Sequence, residues 1–126
     1  MISYVLHFPD NWDIEYSVFT NEKGEKVAEL FPPIMMTEGQ SLLDNWEASS
    51  ECELISKEDI KVGNLTGVRI VLKAYPYGGD IDQWYPHTYY LTDGKRVFAM
   101  NFYALELNAE NQKMYDGIIE SFTFLN

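Results

Sequence analysis

Apolar positions in this chain recur mostly at every second residue, the spacing of strands that turn one face toward a core. Trp12, Ile14, Tyr16 and Val18 alternate with Asp13, Glu15 and Ser17, which predicts a single strand burying the first set. A short apolar run over residues 4–8 precedes it and stops at Pro9-Asp10-Asn11. The turn signal Asn21-Glu22-Lys23-Gly24 sends the chain back through a strand over residues 26–31. Pro32-Pro33 is expected to end that strand, because proline donates nothing to a ladder. Residues 53–62 are also strand-like but carry Lys57, Glu58, Asp59 and Lys61, a polarity that suits a sheet edge. Beyond the turn Gly63-Asn64-Leu65-Thr66-Gly67, Val68, Ile70 and Leu72 alternate with Arg69, Val71 and Lys73.

Two segments switch to helical spacing. Thr37-Glu38-Gly39-Gln40 forms a capping box, and Leu42, Leu43 and Trp46 follow on one side of a helix ending near Ser49-Ser50. Asn108 is a suitable N-cap for the second helix, with Glu110 in its first turn and a stripe of Met114, Tyr115, Ile118, Ile119 and Phe122. Between them, residues 75–86 break all periodicity with two prolines and Gly78-Gly79, so they read as a long loop. A strand from 87 to 91, a two-residue type I′ turn at Asp93-Gly94, and a strand from 96 to 105 make the next hairpin. Phe98, Met100, Phe102 and Ala104 share one face of it. The apolar ending over residues 122–125 is expected to insert into the sheet as a closing strand. The expected fold class is α+β: one domain over residues 1–126, a central antiparallel sheet of about six to seven strands, and two main amphipathic helices packed on it as an α/β/α sandwich.

Composition narrows what such a domain can do. With 126 residues, 46% of them hydrophobic, the chain can bury a substantial core and is not disordered by composition. Its net charge of −11 repels phosphate backbones and anionic membrane surfaces, which argues against nucleic-acid partners. The same charge suits a protein partner of basic character, whose approach it would accelerate. Cys52 is the only cysteine, so no internal disulfide forms. No run approaches the roughly 20 apolar residues of a membrane span, so no direct membrane insertion is expected. The opening residues lack a basic and apolar leader, so the expected location is cytoplasmic as the sequence stands, or a cell-surface lipoprotein if a leader was trimmed.

Candidate chemistry concentrates in and just after the long loop, where Tyr75, Tyr77, Asp80, Asp82, Trp84, Tyr85 and His87 mix aromatic faces with carboxylates. Such a surface binds sugars, peptides or cations. Asp80 and Asp82 resemble the start of a calcium loop, but the further oxygen ligands, glycine and distal glutamate are missing. His7, His87 and Cys52 are too few and too scattered for zinc or a thiol triad, and Gly78-Gly79 lacks the spacing of a phosphate loop. No metal or cofactor is expected. Asn64-Leu65-Thr66 matches a glycosylation acceptor formally. Trp12 and Trp46 read as core, and Trp84 as the exposed tryptophan.

Two stretches carry a family resemblance. Phe8-Pro9-Asp10-Asn11-Trp12 leading into the first hairpin, and Ile118-Ile119-Glu120-Ser121-Phe122-Thr123-Phe124 ending the last helix, resemble the PsbP-like α/β/α superfamily. That superfamily includes a photosystem II extrinsic protein, a Ran-binding nuclear import factor and many bacterial lipoproteins. The resemblance implies a sheet with helices on both faces and a non-enzymatic binding or assembly role, and it carries over no catalytic residue. The expected function is therefore a non-enzymatic protein-interaction or accessory domain that meets its partner through the 75–86 loop. The alternatives are an immunity-type inhibitor of a basic toxin, and a small hydrolase or ligand-binding enzyme using Asp80, Asp82 and His87 in the 75–87 region.

Overall fold

A computed structural model describes residues 3–35, 52–74 and 84–125. Among them the chain runs through β1 (Ser3–Val5), β2 (Asp13–Glu15), β3 (Val18–Thr20), β4 (Lys26–Met35), β5 (Cys52–Val62), β6 (Leu65–Ala74), β7 (Tyr85–Thr92), β8 (Arg96–Ala104), α1 (Ala109–Glu120) and β9 (Thr123–Leu125). Seven of these strands form one antiparallel sheet in the order β2-β3-β4-β8-β7-β6-β5. β1 and β9 pair separately as a two-stranded antiparallel ribbon that joins the two ends of the chain.

Register decides what each face buries. The pairs Leu91↔Phe98, Tyr89↔Met100 and His87↔Phe102 stack on one face of β7 and β8, and Leu30↔Met100 and Ala28↔Phe102 continue that face onto β4. α1 lies on this face. Tyr115 stacks on Phe102 at 4.3 Å between centroids, and Phe122 packs over Phe98 at 4.0 Å. Tyr115, Ile118, Ile119 and Phe122 are all buried, each large apolar side chain contributing about 1.5–3 kcal/mol. The other face of the central strands is buried as well, with Val68, Ile70, Tyr90 and Ala99 withdrawn from solvent. On that face Thr88 donates to Asn101 at 3.1 Å, satisfying two buried polar groups directly across the ladder.

The antiparallel sheet agrees with the alternation in the sequence; the α/β/α sandwich does not. The described residues hold a wide sheet with one 12-residue helix near the C-terminus, not a sheet carrying two main helices. Among the described residues a cap and a helical stripe coincide only at Ala109–Glu120, while β5 to β8 are strands of 11, 10, 8 and 9 residues. The helix expected after Thr37, with Trp46 on its apolar side, lies outside the described residues.

Four local expectations also change. The strand expected over 12–18 is a tight hairpin, because Glu15 pairs with Val18 across a two-residue turn. Tyr16 leads that turn at φ 60 and stands 95% exposed, so it is not on the buried side. Trp12 is buried as expected. Pro32-Pro33 does not end β4: the strand continues to Met35, with a bulge between Phe31 and Ile34 absorbing the prolines. β3 reaches only as far as Glu29, so no ladder is lost on that side. The β7–β8 connection is a three-residue loop in which Asp93 Oδ1 accepts from the backbone N–H of Lys95 and Arg96, with Gly94 at φ 95. β9 pairs with β1 rather than entering the main sheet.

Gly67 is the one place where the sheet requires the absence of a side chain. A Cβ there would lie 1.6 Å from the carbonyl oxygen of Tyr90 on the neighbouring strand. Gly67→Ala is therefore expected to cost about 3 kcal/mol or more in urea unfolding, since backbone on both sides must shift. Gly117, inside α1, would meet nothing within 4 Å, so Gly117→Ala should stabilise by about 0.5–1 kcal/mol in the same assay. Equal and small effects at both positions would contradict the register described.

Candidate functional site

Of the residues expected to form a loop site, Tyr75, Tyr77, Asp80 and Asp82 lie outside the described residues. The remaining three do not converge. Trp84 is half-buried: its backbone bridges to Ala74, and its ring stacks on Tyr103 with centroids 4.9 Å apart. Tyr85 and His87 alternate onto the opposite face, where His87 pairs with Phe102 under α1. His87 is 1% exposed; its Nδ1–H donates to the Tyr85 carbonyl at 2.8 Å, and its ring meets the edge of Tyr115. Burial pushes its pKa below the ordinary 6.5, with the nearby Arg69 charge adding to the effect and the Tyr85 carbonyl and Asp116 opposing it. Histidine at an alternating strand position is read by sequence as available chemistry; here it is core.

A groove does open beside Tyr103 at the end of the sheet. The start of β4, the end of β8 and the first turns of α1 frame a cavity of about 620 Å³. Trp12, Ala104 and Tyr115 line it from the core side, and Glu25, Lys26, Tyr103, Leu105, Glu106 and Met114 complete it. Lys26 sits 4.5 Å from the centre of the Tyr103 ring and 3.3 Å from Glu29 Oε2. Tyr103 donates its hydroxyl to the same carboxylate at 2.7 Å. That hydrogen bond, aided by Lys26 and opposed by burial, holds Glu29 below the usual carboxylate range, and burial together with Glu29 holds the Tyr103 phenol above its own. Leu105 is 74% exposed and Met114 37%, so two large apolar side chains of the groove face water. Asn108 caps α1 by accepting from Glu110 and Asn111, which ends the extended chain and leaves residues 105–107 as a short exposed connection. Leu105 and Leu107 in that connection were the available sequence signal, because neither continues the face defined by Phe98, Met100 and Phe102.

Sequence reasoning also missed a charge cluster around the buried Arg69. Arg69 faces α1 from β6 and is 8% exposed. Its guanidinium meets Asp116 Oδ1 at 3.1 Å and Oδ2 at 3.2 Å, and also pairs with Glu58 on β5. Tyr89 donates to Asp116 Oδ1 at 2.7 Å. Burial opposes the Arg69 charge, but Asp116 foremost, then Tyr89 and Glu58, keep its pKa above the ordinary value. Burial, reinforced by Asp116, pushes the Tyr89 phenol far upward, so it remains a hydrogen-bond donor. A cavity of about 180 Å³ adjoins the cluster, lined by Ile60, Lys61 and Ile119 among others. With both Asp116 oxygens engaged, the cluster orders the helix on the sheet.

The His7 N–H donates to Ser121 Oγ at 2.8 Å, the β1–β9 ribbon continues from there, and Trp12 and Phe122 are both core. Among the described residues, no group of three or more His, Cys, Asp or Glu side chains could hold a metal ion, and no helix is long and apolar enough to cross a membrane. No family model matches the chain, and no curated protein matches it.

Two substitutions separate these roles. Asp116→Ala strips Arg69 and Tyr89 of their shared acceptor while Glu58 still pairs with Arg69, and is expected to cost about 1–3 kcal/mol in urea unfolding, whereas the paired change Arg69→Met with Asp116→Leu should recover part of it. Burial holds the His87 pKa of the folded chain below 6.5, so the unfolded chain binds more protons as pH falls through that value. Its contribution is present in full above that value and fades as pH falls, with a slope of at most about 1.4 kcal/mol per pH unit. His87→Leu should flatten that part of the stability profile between pH 7 and the acid side, relative to the parent protein (each measured by denaturant midpoint).

Proposed function

We propose that this chain is a non-enzymatic protein-interaction or accessory domain that meets a partner of basic character at the groove lined by Tyr103, Leu105 and Met114. The observation that carries this reading is the pair Leu105 and Met114, exposed in a concave, aromatic-lined groove. Tyr75, Tyr77, Asp80 and Asp82 precede Trp84 in sequence and are offered as further contact residues on their chemistry alone. The net charge of −11 favours a basic partner, as an immunity-type inhibitor of a basic toxin would also require. The resemblance of the two chain ends to PsbP-like proteins supports an accessory role by analogy. A hydrolase using Asp80, Asp82 and His87 is the weaker reading, because the His87 ring is buried against Tyr115 and faces no open site.

The test is position-specific photo-crosslinking in the native host. A crosslinking residue at position 105 is expected to capture a defined basic protein, while the same residue at position 59 on β5 captures none. Identical capture at both positions, or none at either, contradicts the proposal.

A further inference from the structure

Charge and apolar surface in the groove are arranged unequally. Among the described residues of its lining the one cationic side chain, Lys26, already lies against Tyr103 and Glu29. Glu25 accepts only a neutral donor, the Asn21 amide at 3.2 Å, and neither Glu25 nor Glu106 is ion-paired among the described residues. The lining therefore presents two carboxylates without a matching cation, next to Leu105 and Met114, which have apolar area still exposed to water. An anionic ligand would meet both carboxylates and a chain carrying −11. A purely apolar ligand would leave the carboxylates to be desolvated without compensation.

We infer that the groove takes a short segment of a partner chain in which a lysine or arginine neighbours a leucine-, methionine- or phenylalanine-type side chain. This rests on the interaction-domain reading above and specifies the segment it recognises. The apolar side chain covers Leu105 and Met114 while the cation reaches Glu25 or Glu106. Long-range attraction from the acidic surface speeds the encounter, so association slows as salt rises, whereas the apolar contact sets residence and responds little to salt.

The probe is a labelled peptide of lysine and leucine residues, followed by fluorescence anisotropy with the full chain. Saturable binding is expected, and a counterpart with glutamate in place of lysine, or with serine in place of leucine, should bind at least about tenfold more weakly. Glu25→Gln with Glu106→Gln should weaken the lysine–leucine peptide about fivefold to tenfold, as expected for two exposed pairs. Leu105→Ser with Met114→Ser should weaken it by a similar factor. Asp59→Asn with Glu120→Gln removes the same charge away from the groove and should leave affinity within about twofold. All variants are compared at matched unfolding midpoints, so loss of fold is read separately. Equal weakening by the off-groove pair would mean diffuse attraction to an acidic protein and would overturn the inference, as would equal binding of the serine or glutamate counterparts. If position 105 captures a basic partner in the host but no peptide binds through the groove, the interaction reading stands and this recognition mode falls.

Discussion

The pairing of Arg69 with Asp116 clamps α1 against the sheet, and the seat of that helix decides where the other features fall. One guanidinium draws together β5 through Glu58, β6 through its own backbone, and α1 through Asp116, while Tyr89 brings in β7. Such a pair adds little net stability over a well-packed apolar substitute, because removing two charges from water offsets much of their attraction. What it supplies is position: an unpaired guanidinium or carboxylate here would be costly, so the helix is discouraged from sliding along an otherwise featureless apolar face. With the helix placed, Tyr115 falls on Phe102, Phe122 on Phe98, and Ser121 reaches His7.

The groove is the other end of the same placement. α1 starts at the margin of the sheet, where β8 has just ended at Ala104 and β4 is just beginning at Lys26. The connection from 105 to 107 must cross from strand to helix without a partner strand, which leaves Leu105 in solvent beside Met114 on the first turns of the helix. An apolar concavity thus results from geometry that the core already demands. Its acidic rim comes from surface residues the core does not constrain. The groove lies in the seam between two well-determined pieces, where side chains are free to differ without disturbing the packing.

Regular elements were legible where a single period persisted. Residues 68–73 and 96–104 read as strands although Val71, Val97 and Ala99 fill the second face, and Asn108 with the stripe Tyr115, Ile118, Ile119 and Phe122 marks the helix and its cap. Legibility failed where a turn preserved the period. Trp12, Ile14, Tyr16 and Val18 alternate straight through a hairpin, and only a positive φ at Tyr16, which no periodicity signals, shows that the chain has reversed. Pro32-Pro33 misled in the opposite way, because a bulge beyond the reach of β3 makes proline harmless. For the site, His87 shows the limit, since alternation gives a residue a face without saying what covers that face.

The sequence by itself determined the local grammar: strands from period two, one helix from its cap and stripe, an acidic surface from composition, and a polar edge strand in β5. Those properties depend on neighbours within a few residues, so they can be read in one dimension. Only the tertiary structure decided that β4 pairs with β8, that β9 returns to β1, and that Arg69 meets an aspartate 47 residues away. Each of these depends on strand order and on where one helix crosses the sheet. The energies that choose among such arrangements belong to contacts between distant segments, and no local pattern records them.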